Sequence, residues 1–253
     1  MFSWLEPGRR PIIVGHRGSS STSPENTLLS FRRAFEDGAD AVECDVRLTR
    51  DRRVVVIHDA SLRRTAGARG FVGEKTLSEL KSLSAGRWFH ARYAPEKIPT
   101  LEEVLELISP SRGINIEIKT GDHDPGGERT LSRCLGIIVR QRAQERVLIT
   151  SFSEKAVRSA AQARPRIAAG LLYHPLRHRM KPPVRFARSL GARYLVVNGS
   201  ALRRRFVEEA HEREMLVGEY TVNSPWRWRR SLRYGVDAVI SDSPSAFRGA
   251  RQD

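Results

Sequence analysis

The 253-residue chain is 40% hydrophobic and 29% charged, ordinary globular values that exclude a disordered or fibrous class and suffice for one barrel-sized core. No apolar run approaches the roughly 20 residues that span a bilayer, and the opening MFSWLEPGRRPIIVG lacks the charged start and apolar middle of a secretory leader. The net charge of +15 is mostly arginine, with six lysines among 44 basic residues, and it is scattered without an aromatic-interleaved segment; a weak association with an anionic membrane surface fits this pattern, whereas no specific nucleic-acid partner is expected.

Strand-like runs rich in Val, Ile and Leu occur at 12–15, 41–46, 54–57, 114–118, 147–150, 167–172, 194–197, 215–220 and 237–240. Helical periods fall between most of them, at 25–37, 101–109, 128–142, 154–163, 183–190, 202–214 and 225–234. Such alternation predicts a parallel sheet. The runs at 41–46 and 54–57 are joined only by LTRDRR, too short for a helix, so 54–57 returns antiparallel as a ribbon. Eight strands remain, and the fold class is α/β, a (β/α)8 TIM barrel. A doubly wound open sheet is the alternative, but no Gly-x-Gly-x-x-Gly follows the first strand. The Gly- and Arg-rich stretch at about 60–98 breaks the alternation and reads as an insertion over one mouth of a single domain, residues 1–253. Cys44 and Cys134 have neither the number nor the spacing of a disulfide framework or metal site, which fits a reducing cytoplasm.

Barrel enzymes work at the C-terminal ends of their strands. Here those ends carry His16 and Arg17, Glu43 and Asp45, His58 and Asp59, Glu117 and Lys119, Ser151, and Tyr220 with Asn223. Alternate strand residues share a face, so Glu43 and Asp45 point together, as do Asn115, Glu117 and Lys119, while Cys44 faces the helices. A reversal near Asp51 and Arg52 brings His58 across from about Asp45.

Three carboxylates at one mouth repel unless a cation or a proton intervenes. Hard oxygen donors select Mg²⁺ or Ca²⁺, with Mn²⁺ also compatible and zinc second. The competing arrangement pairs Glu117 with Lys119 or Arg17 and needs no metal. Two imidazoles beside a cation suit phosphoryl chemistry: one accepts a proton, the other donates one, while Arg17 grips phosphate oxygens and Lys119 adds a point charge. His90, His123, His174, His178 and His211 lack such company and read as ordinary surface or core residues. Ser19 to Ser23 read as turn and cap formers before a helix beginning at Pro24 and Glu25.

These residues sit in a recognisable series: HRG at 16–18, PENT at 24–27, GADAVECDVRLTRD at 38–51, VVIHD at 55–59, RRT at 63–65, IPTLEEVL at 98–105, INIEIK at 114–119, SF at 151–152, YTVN at 220–223 and GVDAVISDSP at 235–244. In this order and spacing the chain resembles the glycerophosphodiester phosphodiesterase family. The resemblance implies a (β/α)8 barrel and a divalent cation held by Glu43, Asp45 and Glu117. It further implies acid–base roles for His16 and His58, and phosphate contacts from Arg17 and Lys119. The reaction it implies is hydrolysis of a glycerophosphodiester to sn-glycerol 3-phosphate and an alcohol. Two positions depart from the family pattern: Tyr220 stands where Trp is usual, as a smaller substrate-binding wall, and Asp51-Arg52 replaces the Asp-Gly of the ribbon turn. Lysophospholipase D-type cleavage is a second reading, with Trp88, Phe89 and Tyr93 able to line an apolar groove, although core packing is the expected use of those rings. A basic polyanion-binding protein with an idle site is a third.

Overall fold

The computed structural model describes residues 2–6, 8, 11–121 and 124–247, so His123 lies outside the described residues. Strand β1 (Ile12–His16) leads through α1 (Leu28–Glu36) to β2 (Ala41–Leu48) and the short β3 (Val54–Val56). Next come α2 (Arg63–Ala66), α3 (Leu77–Ser82) and α4 (Leu101–Leu107), then β4 (Gly113–Ile118) and α5 (Glu128–Arg140). Regular alternation follows: β5 (Val147–Ser151), α6 (Glu154–Gln162), β6 (Ala168–Tyr173), α7 (Pro183–Ser189), β7 (Tyr194–Asn198), α8 (Arg204–His211), β8 (Leu216–Tyr220), α9 (Pro225–Tyr234) and β9 (Ala238–Ser241).

The strands are ordered β1-β9-β8-β7-β6-β5-β4-β2, and β1 pairs with β2 to close the ring. All eight run parallel, with β3 antiparallel on β2 alone. This is the (β/α)8 barrel expected from the alternation. Closed parallel strands are covered on both faces, which is why β4 is buried at every position of GINIEI. Its outward Ile114, Ile116 and Ile118 join a layer that also holds Leu131, Cys134, Ile137 and Ile138 of α5. Those α5 residues recur at helical spacing, and burying each apolar side chain contributes about 1.5–3 kcal/mol. Cys44 and Cys134 are free thiols within this layer, so Cys44 does face the helices.

The base of the barrel is closed by residues that the alternation did not single out. Trp4 is buried, meets Tyr194 edge-on at 5.9 Å, and donates its indole N–H to the Arg146 carbonyl at 2.9 Å. The Tyr194 hydroxyl donates to the Trp4 carbonyl at 2.6 Å. The N-terminal segment is therefore a plug as well as a lead into β1.

Two local expectations need adjustment. Helix α1 begins at Leu28 rather than at Pro24 or Glu25, because Asn26 is left-handed (φ 57) and Thr27 is the N-cap, accepting from the Ser30 N–H. The ribbon register pairs Val46 with Val56, and the Ile57 N–H donates to the Asp45 carbonyl, so His58 falls one residue beyond Asp45. At the ribbon tip Arg52 adopts φ 58, the conformation glycine would take at no steric cost, so the turn survives the missing Asp-Gly. Arg52→Gly should raise stability by about 1 kcal/mol in denaturant unfolding, with the slope of the transition unchanged.

The insertion forms its own small core on the ribbon, in which Leu62, Val72, Leu80, Ala85 and Ile98 pack around Val55 and Ile57. Helix α3 starts from a reciprocal side-chain cap, Thr76 with Glu79, as does α4 at the exit of the insertion, Thr100 with Glu103.

Candidate active site

The tip of β1 is shaped by two glycines. A Cβ on Gly15 would stand 2.8 Å from the Ala34 Cβ of α1, so helix and strand meet only because it has none. Gly18 has φ +90, and a Cβ there would sit 2.5 Å from the backbone carbon of Ser30. Between them Arg17 is itself left-handed (φ 54), and the Gly18 N–H donates to the Gly15 carbonyl. This tight turn leaves His16 and Arg17 on the barrel mouth. Gly18→Ala adds both a clash with main chain and an unfavourable φ; we expect a loss of about 3 kcal/mol or more of stability, seen as a lowered Tm.

Register brings the acidic residues together. His16 lies across from Glu43, and Asp45 across from Glu117, on three neighbouring strands. Oxygen atoms of Glu43, Asp45 and Glu117, all buried, lie within 4.8 Å of one another. Arg17 donates its backbone N–H to Glu43 Oε2 at 3.0 Å and its guanidinium stands 3.2 Å from Asp45 Oδ2. Lys119 Nζ sits 2.9 Å from Asp45 Oδ1 and 2.6 Å from Glu117 Oε1. The ion pair between Glu117 and Lys119 thus exists, and it lies inside the carboxylate cluster instead of replacing it.

The charges do not balance among these groups alone. Burial raises all three carboxyls, but Lys119 and Arg17 overcome it at Asp45 and hold that group far below the usual carboxylate range. At Glu43 the nearby His16 and Arg17 do not prevail: burial and then the Asp45 charge push it up to about 8. Glu117 is raised as well, chiefly by burial. Three converging buried carboxylates, two of them raised by burial with no cation able to hold them ionised, form a hard-oxygen set that fits a divalent cation.

Each imidazole is backed by its own carboxylate. His16 Nδ1 is 2.6 Å from Asp242 Oδ1, and His58 Nδ1 is 2.6 Å from Asp59 Oδ1. Both acids are lowered to about 2, Asp242 against its burial through the bond to His16 and Asp59 chiefly through Arg64. Ionised carboxylates only accept, so each Nδ1 carries the proton and each Nε2 is left for chemistry. Burial opposes the charged form of both rings. At His16 the hydrogen bond to Asp242 and the charge of Glu43 prevail and the pKa is raised. At His58 burial, with Lys119 and Arg17 nearby, prevails over Asp45 and the pKa is lowered.

Several residues complete the mouth that pattern reading did not assign. Asn223 donates to Asp242 Oδ2, and Ser20 donates to Oδ1 at 3.0 Å, so one of the small hydroxyls of the first loop steadies the His16 partner. Ser19 and Ser23 form turns, as expected. Asn26 donates to Asp45 Oδ2 at 2.8 Å. Arg47 spans the carbonyls of His58 (2.7 Å) and Thr120 (3.1 Å), tying the exits of the ribbon and β4. Glu25 accepts from Arg17 at 2.9 Å and from Arg64 at 2.7 and 2.8 Å, while Arg64 also donates to Asp59 at 2.6 Å. Arg64 belongs to the insertion, so that segment reaches the barrel mouth through a continuous chain of ion pairs. PENT and RRT carried these residues in the sequence, but nothing local reveals their partners.

Tyr220 ends β8, half-buried, with its hydroxyl pKa raised to about 12 by burial and by Glu117. Of the three insertion rings, Tyr93 is buried and Phe89 half-buried, as core packing requires, but Trp88 is 39% exposed, beside Arg64, and departs from that expectation. Among the remaining histidines, His178 is a buried loop pin, His211 pairs with Asp237 on the surface and His90 caps a short turn.

A barrel mouth with paired imidazoles, clustered hard oxygens and fixed cations belongs to a phosphoric diester hydrolase. The comparisons make the family definite: the model of the glycerophosphoryl diester phosphodiesterase family matches residues 16–246, and the chain belongs to that family. It is 37% identical over 240 residues to a glycerophosphodiester phosphodiesterase of Caldanaerobacter subterraneus subsp. tengcongensis, covering 94% of this chain and 96% of the other. A glycerophosphodiester phosphodiesterase of Bacillus altitudinis is 32% identical over 246 residues, 95% of this chain and 98% of the other. Among solved structures, an Oleispira antarctica phosphodiesterase in complex with the product sn-glycerol-3-phosphate superposes with TM-score 0.86 at 31% identity, covering 96% of this chain and 97% of that one.

Proposed function

We propose that the chain, acting as one catalytic unit with residues 60–98 as a wall of its mouth, hydrolyses glycerophosphodiesters to sn-glycerol 3-phosphate and an alcohol. The observation that carries this reading is the convergence of Glu43, Asp45 and Glu117 within 4.8 Å, flanked by two imidazoles. Glu43, Asp45 and Glu117 would hold one divalent cation, Mg²⁺ or Ca²⁺ in the first instance and Mn²⁺ as a compatible third. Bound there, it neutralises charge developing on the phosphoryl oxygens.

Arg17 and Lys119 orient the phosphate, and Tyr220 lines the glycerol side. His58, neutral because its pKa is lowered, takes the proton of the attacking oxygen at Nε2. His16, whose pKa is raised, delivers its Nε2 proton to the leaving alkoxide as the P–O bond breaks. The two buried free thiols suit a reducing, cytoplasmic setting. No described helix is long and apolar enough to cross a membrane.

The deciding assay is a panel of glycerophosphocholine, glycerophosphoethanolamine and lysophosphatidylcholine, run with Mg²⁺, Ca²⁺ or Mn²⁺ after metal stripping. Turnover of the deacylated diesters is expected. Exclusive turnover of the acylated substrate would replace this assignment with lysophospholipase D-type cleavage, for which the exposed Trp88 beside Arg64 is the supporting feature.

A further inference from the structure

The active-site rim carries an uneven distribution of charge and apolar surface that hydrolysis of a small soluble diester does not use. The loop after β6, residues 174–182, carries Arg177, Arg179 and Lys181, the last paired with Glu154, and the loop after β7, residues 199–203, carries Arg203; neither loop contains an Asp or Glu. Strands β6, β7 and β8 are hydrogen-bonded neighbours. Their loops therefore form one continuous arc on the C-terminal face, the face that holds His16 and Glu117.

The same arc exposes large apolar side chains. Leu176 is 79% exposed and Met180 70%, both in the loop after β6, and Trp226, in the first turn of α9 after β8, is 65% exposed. Arg177 and Arg179, both exposed, alternate with the first two. Arg203 adds a further exposed charge on the loop between them.

This loop is rigidly built. His178 is buried, its Nδ1 accepting from the His174 N–H and its Nε2 therefore donating to the Phe152 carbonyl, each at 3.0 Å. The Tyr173 hydroxyl donates to the Lys181 carbonyl at 2.7 Å. Arg179 and Met180 hold successive left-handed conformations, φ 50 and 55, which non-glycine residues rarely adopt. The buried pin thus fixes a tip whose apolar side chains have no protein to cover them.

We propose that this arc docks the enzyme on an anionic lipid bilayer, with Leu176, Met180 and Trp226 seated at the headgroup–acyl boundary and Arg177, Arg179 and Arg203 against lipid phosphates. Charge decides the occupant. A second copy of the same face would bring like charges together, whereas an acidic bilayer offers counter-charge to the arginines and an apolar layer to the side chains between them. A nucleic acid would satisfy the arginines and leave Leu176 and Met180 in water.

Co-sedimentation of the full chain with vesicles of phosphatidylcholine, alone or mixed with phosphatidylglycerol at roughly 7:3, tests this without reference to turnover. Wild type should partition to the mixed vesicles and not to the neutral ones. Each arginine lost should weaken partitioning about fivefold, so Arg177→Glu with Arg179→Glu should weaken it at least about 20-fold. Leu176→Ser with Met180→Ser should weaken it about tenfold, and Trp226→Ser, on a separate element, should weaken it independently. Unchanged Tm in each variant shows that the fold persists. Equal binding to both vesicle types overturns the proposal. So does a loss confined to the arginine variant or to the apolar variants, and so does duplex DNA binding that matches vesicle binding in affinity and in indifference to Leu176→Ser with Met180→Ser.

Discussion

Asp45→Asn should lower kcat by about 10³-fold or more, the several kcal/mol that an oxygen-held cation supplies to a charged transition state. Asp45 is the member of the cluster that holds its charge most firmly, and it is the one that Asn26, Arg17 and Lys119 all address. An amide of the same shape keeps the volume but gives up the charge, leaving two buried cations facing a neutral group. The protein side of the prediction is read by thermal unfolding. The metal side is read by chelation: EDTA should abolish wild-type turnover and added cation should restore it, while Asp45→Asn should stay inactive at any cation concentration tested. Full turnover after exhaustive chelation would remove the cation from the reaction.

His16→Ala and His58→Ala should each cut kcat by roughly 10²–10⁴-fold. Their different surroundings make the pH profile more telling than the rates. With the proposed roles, His58 as a base must be neutral, so activity should fall as pH drops through its lowered pKa; His16 as an acid must be charged, so activity should fall as pH rises through its raised pKa. The optimum lies between the two limbs. Asp242→Asn withdraws what raises His16 and should move the alkaline limb to lower pH, leaving the acid limb in place. Asp59→Asn withdraws a group that supports the charged form of His58 and should move the acid limb down. A profile in which Asp242→Asn shifts the acid limb instead would exchange the two roles.

Much of this architecture follows from periodicity. Continuous apolar runs such as INIEI mark strands buried on both faces, and the absence of a helix between 46 and 54 reveals the ribbon. Alternation alone puts Glu43 and Asp45 on one face, and the parallel register then sets Glu117 opposite Asp45. What stays hidden depends on contacts between distant segments. Asp242 serves His16 across 226 positions, and Glu25 meets Arg64 across 39. The start of α1 departs from the local expectation for a related reason: Asn26 leaves helical geometry in a turn whose side chain bonds Asp45 on β2, a tertiary bond that overrides local preference. Trp4 gave no strand or helix signal because it packs as a lone plug. The ribbon arginine at 52 shows the reverse case, a departure in residue type that left the backbone path intact.

The unbroken run of ion pairs from Arg17 through Glu25 and Arg64 to Asp59 has a bearing on redesign. Transplanting a foreign segment in place of 60–98 to alter head-group choice would sever the clasp between that segment and the two halves of the machinery. Any such graft must travel as a cassette that retains an arginine at position 64, or it will exchange selectivity for a misaligned His58.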